Sequence, residues 1–201
     1  VISFTMSKGG RTPVGSMLGG DFAAQYVAGT ILNSRAPERL YDPELQAELY
    51  HRTVPAAPQD ETLPYPYAPF LAVIFRPLAA LPYARAYLLW LLVSMAAYLA
   101  TFHFTWRAIP ELRSADYGIA RLVAVSFMPF LFESWMGGQV SAIGALSVAT
   151  ALYLQSRSRP LLGGAALAVC LYKPTLLIML LPMLLAARRF ATLTGFVAGA
   201  A

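Results

Sequence analysis

Charge is scarce in this chain: Asp, Glu, Lys and Arg make up 12% of its 201 residues, about half the share found in a water-soluble domain. With 58% hydrophobic residues and a mean hydropathy of +0.56, the composition is that of a membrane protein and excludes an ordinary soluble enzyme. Cysteine is nearly absent. The single Cys170 lies in an apolar run, so neither a disulfide framework nor a cysteine metal site can be built. His51 and His103 are far apart and lack ligand-like neighbours, so no metal site is expected from them. A signal-peptide pattern is also missing, and the chain starts at Val1 and stops inside the apolar run 196–201, so the expectation is a piece of a longer protein. The net charge of +5 raises nucleic acid as a partner. However, the Lys and Arg residues sit in short clusters beside apolar runs rather than along one polar face, so they are read as setting membrane orientation and no nucleic-acid partner is expected.

The chain divides by polarity into an external loop, residues 1–64, and a transmembrane helical region, residues 65–201. The loop holds Asp21, Glu38, Asp42, Glu44, Glu48, Asp60 and Glu61, most of the chain's acids. Within it, the pattern predicts one short helix over 22–32 and another starting at Asp42-Pro43, an N-cap followed by proline, and running to about Arg52. Residues 64–84 are apolar but broken by Pro64, Pro66, Pro69, Pro77 and Pro82, with Arg76 among them. This predicts a bent or re-entrant helix, too short to cross a core of about 30 Å. Arg85 to Trp106 is the clearest span, about 33 Å long as a helix. Ile119 to Trp135, kinked near Pro129, follows, and then Val140 to Leu154. Leu161 to Ala187 is interrupted at Lys173-Pro174, and Phe190 begins another run. The fold class expected is all-α: a polytopic transmembrane protein with a helical external loop.

Basic residues follow the first span (Arg107, Arg113, Arg121), follow the third (Arg157, Arg159) and precede Phe190 (Arg188, Arg189), whereas the turn 134–141 has none. Positive-inside logic puts the basic turns in the cytoplasm, and the 134–141 turn and Asp21 outside. The same rule favours a hairpin over 161–187 with Lys173 near its tip.

Four groups of residues could carry chemistry. Lys173 is a charge at membrane depth, where placement costs roughly 2.5–3.5 kcal/mol, and Pro174 disfavours helix at the lysine. Such a cation suits an anion that arrives through the membrane, a lipid phosphate above all; alternatively it snorkels to the interface or pairs with Glu133. Glu133 precedes Gly137-Gly138-Gln139, where two glycines allow close backbone approach to a ligand and Gln139 offers a donor and an acceptor; a flexible turn is the alternative. Asp21, after Gly19-Gly20, either caps the helix beginning at Phe22 or acts as a general base toward a hydroxyl, and the two roles are compatible. Asp42 is accounted for by capping. Tyr65, Tyr67 and Trp90 either stack on a sugar, line a lipid groove or anchor the membrane interface.

Gly20-Asp21-Phe22, then Leu40-Tyr41-Asp42, the Tyr/Pro-rich entry Tyr65 to Pro82, Gly138-Gln139-Val140, and Lys173-Pro174 followed by Arg188-Arg189 together resemble glycosyltransferase family 87. The resemblance implies a C-type, multi-span transferase of the plasma (inner) membrane with its active site on the extracytoplasmic face. It would move a hexose, often mannose, from a polyprenyl-phosphate donor to a glycolipid or polysaccharide acceptor, inverting the anomeric centre, with Asp21 as base. The donor phosphate and sugar are then expected at Lys173, Gln139, Arg76, Glu133, Tyr65 and Tyr67. No cofactor is implied, and the isolated carboxylates offer no clear cage for a divalent cation, which stays open. A transporter or flippase of a lipid-linked or anionic substrate is the competing class, and a structural envelope subunit is the third. The acid-bearing external loop separates them, because a transferase needs it to seat an acceptor and a transporter does not.

Overall fold

The computed structural model describes residues 19–55, 57–58, 60–114, 116–126 and 136–201. The chain divides into two compact units, Val1–Val93 with Pro129–Gln139 and Ser94–Met128 with Val140–Ala201. Both are helical, and no strand occurs among the described residues. The expected kink near Pro129 and the position of Glu133 lie outside the described residues.

Among the described residues the first unit begins with α1 (Gly20–Leu32), which starts two residues earlier than the pattern over 22–32 suggests. Its N-cap is Gly19, so Asp21 lies in the first turn rather than at the cap. The amide groups that a helix start leaves unpaired find backbone carbonyls instead: Gly19 N–H donates to Met136 O at 2.7 Å, and Asp21 N–H donates to Gly137 O at 2.9 Å. Helix α2 (Pro43–Thr53) begins as expected, with Asp42 accepting from the amides of Glu44 at 3.0 Å and Leu45 at 3.1 Å. The Leu45 amide first, then the Arg39 guanidinium and last the Glu44 amide hold the Asp42 carboxyl below its usual range. Gln46, buried on α2, donates to Leu40 O and accepts from Tyr65 N–H at 2.9 Å, so a buried amide is satisfied on both sides. Helix α3 (Pro69–Ala79) has 11 residues, about 17 Å, too short to cross a bilayer, in keeping with the broken pattern of residues 64–84. It buries Leu71, Ala72, Phe75 and Leu78 and leaves Phe70, Val73 and Ile74 exposed.

Helix α4 (Tyr83–Ala108) has 26 residues and is long and apolar enough to cross a membrane. Leu88 and Leu92 are 60% and 61% exposed on it, which suits lipid and not water.

In the second unit, α5 (Tyr117–Val125), α6 (Ser141–Ser156), α7 (Pro160–Ala168), α8 (Leu177–Ala186) and α9 (Phe190–Ala200) join the end of α4. Helices α6 and α7 are antiparallel: Ser147 Oγ donates to Ala166 O, and Tyr172 O–H donates to Val140 O at 3.3 Å. Helices α7 and α9 are parallel and touch backbone to backbone. A Cβ on Gly195 would stand 2.0 Å from Leu161 O, one on Gly164 1.9 Å from Thr192 O, and one on Gly199 2.9 Å from Ala165 Cα. Gly195 and Gly199 therefore form the small-xxx-small stripe by which membrane helices approach closely. Parallel α7 and α9 require the chain between them to turn back, and the turn is at Lys173. This agrees with the predicted hairpin. Phe104 stacks on Tyr153 at 5.1 Å, and Trp106–Arg107 share a cleft with Ser156–Arg157, so α4 and α6 run in the same direction here. As a result Arg107, Arg157, Arg159, Arg188 and Arg189 gather at one end of this unit and Lys173 lies at the other.

Candidate active site

Asp21 is positioned by a clamp. Three ring donors one turn apart on α4 each reach a backbone carbonyl: Tyr83 O–H to Gly19 O at 3.2 Å, Tyr87 O–H to Met136 O at 3.2 Å, and Trp90 Nε1–H to Gly138 O at 2.8 Å. The segment Met136–Gly138 is thus fixed to α4 on one side and to the start of α1 on the other. Phe22, fully buried, fills the gap between them and packs against Tyr83, Tyr87 and Trp90 of α4 and Phe75 of α3 at ring-centre distances of 5.3–6.4 Å. Gly138 has φ 74°, and a Cβ there would lie 2.6 Å from Phe22 Cβ. The close backbone approach that two glycines permit is therefore made to the protein's own helix. Trp90, 2% exposed, belongs to this core and not to a sugar platform.

Asp21 is half-buried beside Tyr67. Burial first, and then the charge of Asp21, push the Tyr67 phenol above its usual value, so it remains a proton donor at neutral pH. Tyr41 O–H donates to Tyr67 O at 2.8 Å and fixes that backbone. Gln25, one turn further along the same face of α1 as Asp21, is 1% exposed, and its Oε1 has no hydrogen-bond partner among the described residues. The sequence reading missed it, although its i+4 spacing from Asp21 on a helix is the signal that would have drawn attention to it.

The other expected residues are distributed differently. Gln139 follows the clamp directly and is half-buried. Tyr65 is 3% exposed and donates to Ala68 O at 2.8 Å, so its ring and hydroxyl are engaged in the core. Arg76 donates from Nε to Asn33 Oδ1 at 3.0 Å while Asn33 Nδ2 donates back to Arg76 O at 2.8 Å. Asn33 follows the C-terminal end of α1, about 18 Å along the helix from Asp21, so Arg76 is not brought together with Asp21 and the clamp. No group of three or more potential metal ligands occurs among the described residues.

Lys173 belongs to the second unit. It stands between two 3₁₀ turns, Val169–Tyr172 and Pro174–Leu176, with φ −135° and ψ 83°, outside helical geometry. It is exposed, and no carboxylate among the described residues pairs with it. With Ser141 and Tyr172 it borders a cavity of about 430 Å³, whose wall continues along α6 through Gly144, Ala145, Val148 and Leu152. A cation at the mouth of a cavity walled mostly by apolar side chains, with Thr101 and Thr105 also lining it, suits an anionic head with an apolar tail.

The model of Glycosyltransferase family 87 matches residues 65–201, more than half of the chain. The chain belongs to glycosyltransferase family 87. No curated protein and no solved structure matches it. The family 87 match takes in α4, the 136–138 segment and the Lys173 break, while Gly19 and Asp21 precede the matched segment. Family membership makes the chain a membrane-associated glycosyltransferase and sets aside the transporter reading.

Proposed function

We propose that this family 87 transferase moves a hexose, mannose above all, from a polyprenyl-phosphate donor to a glycolipid or polysaccharide acceptor on the extracytoplasmic side of a plasma membrane that it crosses several times. Asp21 is the general base and Lys173 the seat of the donor phosphate. The observation that carries the donor half is Lys173, a cation without a carboxylate partner among the described residues, set at a helix break beside the 430 Å³ cavity. Asp21 takes the proton of the acceptor hydroxyl. The oxygen attacks the anomeric carbon, the bond from that carbon to the phosphate oxygen breaks, and the lipid phosphate leaves with the electron pair. Tyr67 donates a hydrogen bond within this acid/base half, and Gln139 orients a sugar or phosphate oxygen. Tyr65 and Arg76 are left out, since Ala68 and Asn33 already engage them.

The test is transfer from labelled polyprenyl-phosphate-mannose to membrane acceptors, comparing the parent protein with its Asp21→Asn variant at matched expression. A general base contributes about 10²–10⁴-fold. A loss of that size supports Asp21 as base, whereas equal transfer by both reduces it to a residue of a helix turn.

A further inference from the structure

Residues 140–201 contain Arg157, Arg159, Lys173, Arg188 and Arg189 and no Asp or Glu. The same unit also holds Glu111 and Asp116, but none of the four arginines forms an ion pair with a carboxylate among the described residues. Two turns of the same build bring them together. At the end of α6, Ser158 takes the left-handed φ of 57°, and Arg159 N–H donates back to Leu154 O at 2.9 Å before α7 begins. At the end of α8, Arg188 takes φ 53°, and Arg189 N–H donates back to Leu184 O at 2.9 Å before α9 begins. Glycine is the usual residue at such positions; here serine and arginine occupy them. Because α7 and α9 are parallel and in contact, the two turns lie side by side.

Between them is a cleft of about 400 Å³ lined by Gln155, Ser158, Pro160, Arg188, Arg189 and Thr192. Its floor is closed by the buried Thr192, whose hydroxyl donates to Gln155 Oε1 at 3.1 Å. Arg188 and Arg189 are exposed and join no ion pair among the described residues. Just past the arginines, at the starts of α7 and α9, Leu161 and Leu162 are each 54% exposed and Phe190 is 59% exposed. Guanidinium forks match phosphate oxygens, and the apolar side chains directly beyond them match acyl chains. We propose that this cleft seats the phosphate of an anionic phospholipid at the basic end of the second unit, a site separate from the Lys173 cavity. The apolar rim commits the site to a lipid rather than to free phosphate.

The experiment uses the full chain purified in a neutral detergent. Short-chain phosphatidylglycerol, short-chain phosphatidylcholine and inorganic phosphate are each titrated, and bound lipid is counted by native mass spectrometry. The expected result is a preference for phosphatidylglycerol of about 30-fold, the effect of two arginines at an anionic surface. Arg188→Gln with Arg189→Gln removes it, Arg188→Lys with Arg189→Lys keeps most of it, and Arg35→Gln, an exposed arginine of the first unit, leaves it unchanged. Equal binding of the two lipids overturns the proposal, as does an intact preference in the double glutamine variant. Competition by inorganic phosphate at the lipid's own concentration overturns the lipid as ligand. The readout is binding, so its failure is distinct from a failure of sugar transfer.

Discussion

Replacing Gly138 by alanine tests whether the clamp governs Asp21. Gly138 holds φ 74°, and an alanine in the left-handed region costs about 1–2 kcal/mol. Its Cβ would stand 2.6 Å from Phe22 Cβ, about 1 Å inside the usual carbon contact of roughly 3.5–4.0 Å, and relieving such overpacking costs about 1–3 kcal/mol more. Phe22 has nowhere to go, being fully buried among Phe75, Tyr87 and Trp90. The 136–138 segment must lift instead, taking with it Gly137 O, which receives the Asp21 N–H. A displacement of about 1 Å at a catalytic group costs on the order of 100-fold in rate. Initial rates of hexose transfer in membrane vesicles at varied donor should therefore show kcat falling about 100-fold, with a smaller rise in the donor KM because Gln139, next to Gly138, shifts with the segment while Lys173 does not. Gly138→Ala enzyme that folds and turns over at the parental kcat refutes the reasoning.

Lys173→Met should raise the donor KM by at least about tenfold, the scale of losing a charge-assisted contact, and Lys173→Arg should recover part of it; donor titration in the transfer assay decides. Gly195→Leu should force α7 and α9 apart, since even a Cβ there lies 2.0 Å from Leu161 O; melting in detergent should fall and the proteolysis of 190–200 should rise. The Asp42 cap should depend on acid in one direction. Its folded pKa is depressed by Leu45 N–H and Arg39, so its stabilisation is fully present above about pH 4 and is lost as pH falls through the lowered value. Hydrogen exchange at the Leu45 amide should report that loss, and Asp42→Ala should remove the protection at every pH.

Class and local grammar were legible in the sequence because they depend on composition and near neighbours. The apolar run 85–106, the Asp42-Pro43 helix start and the break at Lys173-Pro174 act over a few residues and are found where the sequence puts them, and the family match covers the motifs from Tyr65 onward. The roles of Tyr65, Trp90 and Arg76 were not legible in this way. An aromatic ring or a guanidinium has the same sequence signature whether it meets a ligand or its own fold, and here Ala68 O, Gly138 O and Asn33, distant in the chain in two of the three cases, take their hydrogen bonds.

The sequence by itself determined that this is a helical, membrane-associated glycosyltransferase, since hydropathy and motif order are properties of the chain. Tertiary structure alone decided that Gly137-Gly138 grip the start of α1 rather than a ligand, that Gly195 and Gly199 bring α9 onto α7, and that four arginines from two turns line one end of a unit. Each depends on which backbone segments come within a few ångströms of one another. Nothing in the spacing of residues along the chain specifies that.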